Sequence, residues 1–284
     1  MGSFATADGR KLAYRRVGQG PVLVCHPGGP GFSSRYFGEL AWLGTGRTLV
    51  LLDPRGTAGS ERPEDPRAYS IADYVADVEA LRQHLGLEQI DLLGHSHGGV
   101  VAMAYAITHP DRVTRLVLAS TLARFAEPQA DAMDAFMVAK AGEPWYADAR
   151  SALEAEQAGR FRDDEELVEL VVRELPFYFA SYGEAERSWV ERLREERPNG
   201  DALRLFNDEI FTTFDLRGQL MRIVAPTLVV AGELDLITGP VCAREIAAGI
   251  QGARLVLLPE VGHFVFVEAP ERFTGEVLAF LDQG

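Results

Sequence analysis

Short apolar runs of strand length recur along the chain, at Lys11 to Val17, Val22 to Cys25, Thr48 to Leu52, Ile90 to Leu93, Val113 to Ala119, Thr227 to Val230 and Arg254 to Leu258. Most are continuous rather than alternating, as expected of central parallel strands covered by helices on both faces. Between several of them, apolar positions fall at helical spacing: Ile71 to Leu85, Ser96 to Thr108, Val241 to Ile250 and Pro270 to Leu281. The first follows Ser70, an N-cap with Asp73 three residues on, and the last opens with proline in its first turn. Strand and helix in alternation predict an α/β protein with a mostly parallel sheet covered by helices.

The alternation stops between about Leu122 and Gly218. Here Ala130 to Lys140, Asp148 to Ala158, Asp164 to Leu175 and Glu184 to Glu196 read as amphipathic helices, with no convincing strand. The economical arrangement is a core domain of residues 1–121 and 219–284, interrupted by an inserted helical cap of residues 122–218. The cap's aromatic residues, Trp145, Phe177, Tyr178 and Trp189 among them, are expected mostly in its own core, with a minority roofing a site.

A chain of 284 residues buries a sizeable core, and its formal net charge of −14 argues against nucleic acid and anionic membranes as partners. The two cysteines, Cys25 and Cys242, have no metal or redox spacing, and Cys25 reads as a buried thiol. No segment is apolar for long enough to span a membrane, and no charged-then-apolar secretion signal is present. Met1-Gly2-Ser3-Phe4-Ala5-Thr6 fits a loose myristoylation pattern but lacks a polybasic companion, so the expectation is a cytoplasmic protein.

The chemistry concentrates at Gly94-His95-Ser96-His97-Gly98-Gly99, between an apolar strand and a helix. A serine flanked by glycines at such a turn is held exposed above a parallel sheet. Its hydroxyl needs a base within reach, itself oriented by a carboxylate, and on such a sheet the partners follow in the order Ser, acid, His. After Ser96 the histidines are His97, His109 and His263. His97 is adjacent on the turn, and His109 closes the helix at a His-Pro-Asp turn. His263, in a loop after the last strand, lies where such sheets bind ligands and is the candidate base. Asp235, at the end of the strand closing at Val230, is the candidate acid, ahead of the loop residue Glu260 and of Asp53, which is expected to tie to Arg55 or its local turn. The turn His26-Pro27-Gly28-Gly29-Pro30-Gly31 offers backbone N–H groups for an oxyanion hole, made by Gly29 (or Gly28) together with His97.

These motifs together resemble the α/β-hydrolase superfamily over nearly the whole chain. The glycine turn, Asp53-Pro54-Arg55-Gly56 and Gly232-Glu233-Leu234-Asp235 look like the proline iminopeptidase branch. The resemblance implies a cofactor-independent serine hydrolase without a metal, cleaving short peptides or amides with a free N-terminus. It also implies that Glu233, and Glu209 in Asn207-Asp208-Glu209-Ile210-Phe211-Thr212, bind the substrate's ammonium. Two glutamates suit that task, because an unpaired buried charge is costly. An esterase, lactonase or thioesterase for a small apolar acyl compound is the alternative, and a non-catalytic ligand receptor on the same fold is a third reading.

Overall fold

The computed structural model describes residues 1–125 and 127–283. They build one eight-stranded sheet from β1 (Gly2–Ala5), β2 (Lys11–Val17), β3 (Val22–His26), β4 (Thr48–Leu52), β5 (Ile90–His95), β6 (Val113–Ala119), β7 (Thr227–Gly232) and β8 (Arg254–Leu258). The strand order is β1-β2-β4-β3-β5-β6-β7-β8; β1 and β2 are antiparallel to their neighbours and the other six run parallel. The short edge strand β1 escapes a reading of apolar runs because Phe4 alone among its four residues is buried.

Successive strand residues point to opposite faces, and both faces are buried. Leu23, Cys25, Leu49, Leu51, Val117 and Val230 enter one core, whereas Val24, Val50, Leu52, Leu116, Leu118 and Val229 enter the other. The apolar runs are therefore continuous for a physical reason: neither face meets water.

Among the described residues the α-helices are α1 (Ile71–His84), α2 (His97–Thr108), α3 (Glu127–Lys140), α4 (Tyr146–Gln157), α5 (Asp164–Glu174), α6 (Glu184–Arg192), α7 (Gly200–Leu205), α8 (Gly239–Gly249), α9 (Val265–Glu268) and α10 (Pro270–Leu281). Helices α1, α2 and α8 cover one face of the sheet, while α9, α10 and a 3-10 stretch over Ser34–Thr45 cover the other. Ser70 caps α1 reciprocally: its Oγ accepts from the Asp73 N–H at 3.2 Å, and Asp73 accepts from the Ser70 N–H at 3.0 Å. Such a cap contributes about 1 kcal/mol. No helix of the described residues is long and apolar enough to cross a membrane.

Between β6 and β7 the described residues form α3 to α7, joined by 3-10 and π turns and without a strand. The strands β5 and β7 each run two residues past the expected ends, to His95 and Gly232. The sheet carries them there, since His95 pairs with Ala119 and Gly232 with Leu258. This extension delivers the Ser96 turn and the Asp235 loop to one edge of the molecule.

Candidate active site

Ser96 stands between β5 and α2 at φ 53°, ψ −123°, a backbone conformation that costs a non-glycine residue on the order of 1–3 kcal/mol. The flanking glycines make the turn possible. A Cβ on Gly94 would lie 2.2 Å from the Gly98 carbonyl oxygen, and one on Gly98 would lie 2.3 Å from that of His26. Hydrogen bonds pin the strained residue at both ends. Its N–H donates to the Ala119 carbonyl at 3.0 Å, and its carbonyl accepts from the Thr121 hydroxyl at 2.7 Å.

Asp235 follows β7 on a loop that closes on its own carboxylate. Oδ1 accepts from the N–H groups of Ile237 and Thr238 at 2.8 and 3.1 Å, and Oδ2 accepts from the Thr238 hydroxyl at 2.6 Å. The Nδ1 of His263 lies 3.1 and 3.0 Å from the two oxygens. Burial works to raise the Asp235 carboxyl, but the charge and hydrogen bond of His263 and the Thr238 donors outweigh it and hold it down at about 2. A carboxylate accepts only, so Nδ1 of His263 carries a proton, and in the neutral ring the lone pair is on Nε2.

His263 is locked to the helical insertion as well. Its N–H donates to the Tyr178 carbonyl at 2.7 Å. Beside it, Glu268 accepts from the N–H groups of Ala180 and Gly262 at 2.8 and 2.9 Å.

The glycine turn after β3 packs against the serine: a Cβ on Gly28 would lie 2.9 Å from the Ser96 Cβ. The Gly28 N–H is not available to an oxyanion, because it donates to the Tyr36 hydroxyl at 2.5 Å. That removes Gly28 as the alternative donor. Gly29 lines the cavity in front of Ser96, and among the described residues neither its N–H nor that of His97 has an acceptor. The His97 N–H opens α2, where the helix leaves its first N–H groups unpaired. The His97 ring packs edge-on against Tyr74 and Phe206.

Ser96, His263 and Gly29 share a cavity of about 120 Å³. A single water needs roughly 10–15 Å³ by the same measure, so a small acyl group fits. Phe32, Tyr36 and Phe264 form its walls; from the insertion Val171, Leu175, Trp189 and Leu203 reach in. Two carboxyls also line it, Glu156 on α4 and Glu174 on α5. They are 8 % and 3 % exposed, and Oε2 of Glu174 is buried without a hydrogen-bond partner. Burial pushes Glu156 up to about 7, against a hydrogen bond from Asn207. Burial and the neighbouring Glu156 push Glu174 well above the usual carboxylate range.

The expected ammonium ligands are elsewhere. Glu209 and Glu233 are exposed and neither lines the cavity. Glu233 sits at the outer edge of its loop, its N–H donating to the Leu258 carbonyl. Glu209 falls in a π turn over Phe206–Ile210 whose Phe206 faces inward. The sequence did carry a signal for the other pair. On α4 the buried stripe is Ala149, Ala152, Leu153 and Glu156, and on α5 it runs Leu167, Leu170, Val171 and Glu174. A glutamate thus occupies the next position of each apolar stripe.

The other candidates have structural partners. Asp53 is not tied to Arg55; it accepts from the N–H and hydroxyl of Ser34 at 3.0 and 2.7 Å. Arg55 instead forms a fork with buried Asp77 at 2.7 and 2.6 Å. Glu260 is an exposed turn residue at φ 61°, and His109 stacks on Tyr105. Both cysteines are free and buried. Among the described residues no group of three His, Cys, Asp or Glu side chains is placed to hold a metal ion.

Residues 21–270 match the α/β hydrolase fold family. The chain is 30% identical over 287 residues to the proline iminopeptidase of Levilactobacillus brevis, covering 94% of this chain and 92% of that protein. It is 29% identical to that of Lactobacillus helveticus, covering 97% and 95%. Among solved structures, the enol-lactonase of Burkholderia xenovorans is 28% identical with a TM-score of 0.77, covering 99% of this chain and 100% of that one. A hydrolase from Pseudomonas aeruginosa is 31% identical with a TM-score of 0.71, covering 99% and 98%. The protein belongs to the α/β-hydrolase fold family and is a hydrolase similar to proline iminopeptidases over nearly its full length.

Proposed function

We propose that the protein is a cytoplasmic serine hydrolase of the proline iminopeptidase type, acting through an acyl-enzyme on short peptides or amides with a free N-terminal amine. One observation carries this reading: a single small cavity holds Ser96 and His263 beneath a roof containing the buried carboxyls of Glu156 and Glu174.

In the first step the Ser96 Oγ attacks the substrate carbonyl while His263 Nε2 takes its proton. Asp235 steadies the imidazolium, and the N–H groups of Gly29 and His97 receive the oxyanion. The imidazolium then protonates the leaving amine as the C–N bond breaks. Water, deprotonated by His263, releases the acid and restores the Ser96 hydroxyl. The inserted helices act as the cap, closing the site over a small substrate.

The carboxyl pair explains selection of an amine. Two neighbouring carboxyls in a buried cavity do not both ionise readily, so the empty pair retains at least one proton near neutral pH. An arriving ammonium supplies the missing positive charge and gives Oε2 of Glu174 its partner. Glu156 and Glu174 therefore take the role that the family resemblance assigned to Glu209 and Glu233.

A charge-assisted hydrogen bond contributes about 1.5–3 kcal/mol, or roughly 10–150-fold in rate. Glu174→Gln should lower kcat/KM for proline nitroanilide by about that factor while leaving a neutral nitrophenyl ester within about threefold of native. Equal losses on both substrates would remove the amine reading. The apolar and aromatic walls favour a second reading, a carboxylesterase or lactonase for a small acyl compound. Under it the ester is the better substrate and Glu174→Gln leaves the preference unchanged.

A further inference from the structure

We infer that Tyr36 and His95 are positioning residues, a hydrogen-bonded brace that sets the glycine turn and the His263 loop in register with Ser96. Three segments far apart in the sequence meet on these two side chains. The Gly28 N–H lies 2.5 Å from the Tyr36 hydroxyl, that hydroxyl lies 2.7 Å from His95 Nδ1, and His95 Nε2 lies 3.1 Å from the His263 carbonyl oxygen.

Every proton in this chain has one allowed position. The His263 carbonyl only accepts, so His95 Nε2 carries the N–H. That leaves Nδ1 as an acceptor, and the Tyr36 hydroxyl donates to it. The Tyr36 oxygen keeps a lone pair for the Gly28 N–H. A second proton on His95 would reverse the middle bond and leave the Tyr36 O–H without an acceptor in a buried place. His95 and Tyr36 are only 1 % and 5 % exposed, which makes such a loss costly. Burial, followed by the neighbouring His263, pushes the His95 ring down to about 3, so it stays neutral throughout the working range.

The brace is also packed rigidly. The His95 ring stacks on Phe264 at 5.6 Å and meets Phe266 edge-on at 5.0 Å, while Tyr36 stacks on Phe37 at 4.6 Å. Its position gives it two effects. By engaging the Gly28 N–H on the Tyr36 hydroxyl at the cavity wall, it fixes the turn from which Gly29 lines the cavity. By holding the His263 carbonyl, it fixes the loop from which the imidazole reaches Asp235. Preorganised oxyanion donors act without reorganising during the reaction, and a small misplacement loses that benefit.

This inference rests on the serine-hydrolase reading, so the test begins with fluorophosphonate labelling of Ser96 in the native protein. Absence of labelling overturns that reading and the brace with it. With labelling established, Tyr36→Phe removes one hydroxyl and keeps the ring. Loss of an oxyanion donor costs about 10²–10³ in rate, and a donor displaced rather than lost should cost less, about 10–100-fold in kcat. KM for a nitrophenyl ester should stay within about twofold. The affinity for an alkyl boronic acid, whose tetrahedral adduct uses the same donors, should fall in step with kcat. His95→Leu should lose at least as much, and His95→Gln, which retains a donor for the His263 carbonyl, should recover part of it. A Tyr36→Phe protein with native kcat, or with reduced kcat but native boronic-acid affinity, overturns the inference. Tyr36→Phe decides the matter even if a His95 variant fails to fold.

Discussion

The Nδ1 of His263 is shared between both carboxylate oxygens of Asp235, at 3.1 and 3.0 Å, and each oxygen is also held by the loop that carries it. The carboxylate is thus saturated with donors. Its orientation is a property of the Asp235–Thr238 loop and survives whether or not the imidazole is charged.

Asp235→Asn tests what this arrangement does. Two backbone N–H groups fix Oδ1, so the amide nitrogen of asparagine must occupy the Oδ2 position and point its hydrogens at Nδ1 of His263. That favours the tautomer with its proton on Nε2, where it cannot accept one from Ser96. The expected result is a fall of about 10⁴ in kcat with KM and melting temperature near native, measured by steady-state kinetics and thermal denaturation. Retention of a tenth of native kcat would contradict the role given to Asp235.

The Arg55–Asp77 fork makes a stability prediction. The two side chains are 2 % and 1 % exposed, so Asp77→Ala removes both bonds of the fork and leaves the buried guanidinium with the partly exposed Asp73, 3.2 Å away, as its remaining carboxylate partner among the described residues. Breaking such a pair costs about 3–5 kcal/mol. Urea denaturation at neutral pH should report a loss at the lower end of that range, and a loss below about 1 kcal/mol would show that Asp73 alone suffices as counter-charge.

Stability should peak on the acid side of neutrality. Burial raises Glu156 to about 7 and Glu268 to about 8, and burial with the neighbouring Glu156 holds Glu174 well above its ordinary value of 4.5. Their contribution is full below 4.5 and is lost as the pH rises through the folded values. Burial lowers His26 to about 4 and His95 and His97 to about 3, from 6.5. Their contribution is full above 6.5 and is lost as the pH falls through the folded values. The two slopes oppose one another between pH 4.5 and 6.5, and above that window the raised carboxyls alone of these groups act, each uncompensated proton changing stability by about 1.4 kcal/mol per pH unit. Urea midpoints across pH 3 to 9 test this; a midpoint still climbing from pH 6.5 to 8 would refute it.

Much of the fold is legible in the sequence because both faces of the sheet are dry. A strand that is apolar at every position, as Leu49 to Leu52 is, admits few other readings. The Ser70–Asp73 cap is readable because it depends on local spacing, and the pairing of Asp235 with His263 agrees with their order along the chain. What escaped was set by contacts between distant segments. Gly232 and His95 look like loop residues until the sheet pairs them. The Gly28 N–H reads as an oxyanion donor until Tyr36 takes it. Glu209 and Glu233 have the right neighbours in sequence but face water, whereas Glu156 and Glu174 lie in the dry seam where α4 packs on α5.

The bond from the His263 N–H to Tyr178 and those that Glu268 accepts from Ala180 and Gly262 join the roof of the pocket to the His263 loop. Roof and His263 loop are therefore one mechanical part at this seam, while Asn199, bonded to Gly31 and Tyr69, ties the roof to the core at a second place. Changes in α4 and α5 can reshape what the cavity accepts without moving the imidazole. A shift of the backbone at Tyr178 to Ala180 moves the His263 loop with it, so new specificities should arise by remodelling far from that stitch, and any transplanted roof must bring the stitch with it.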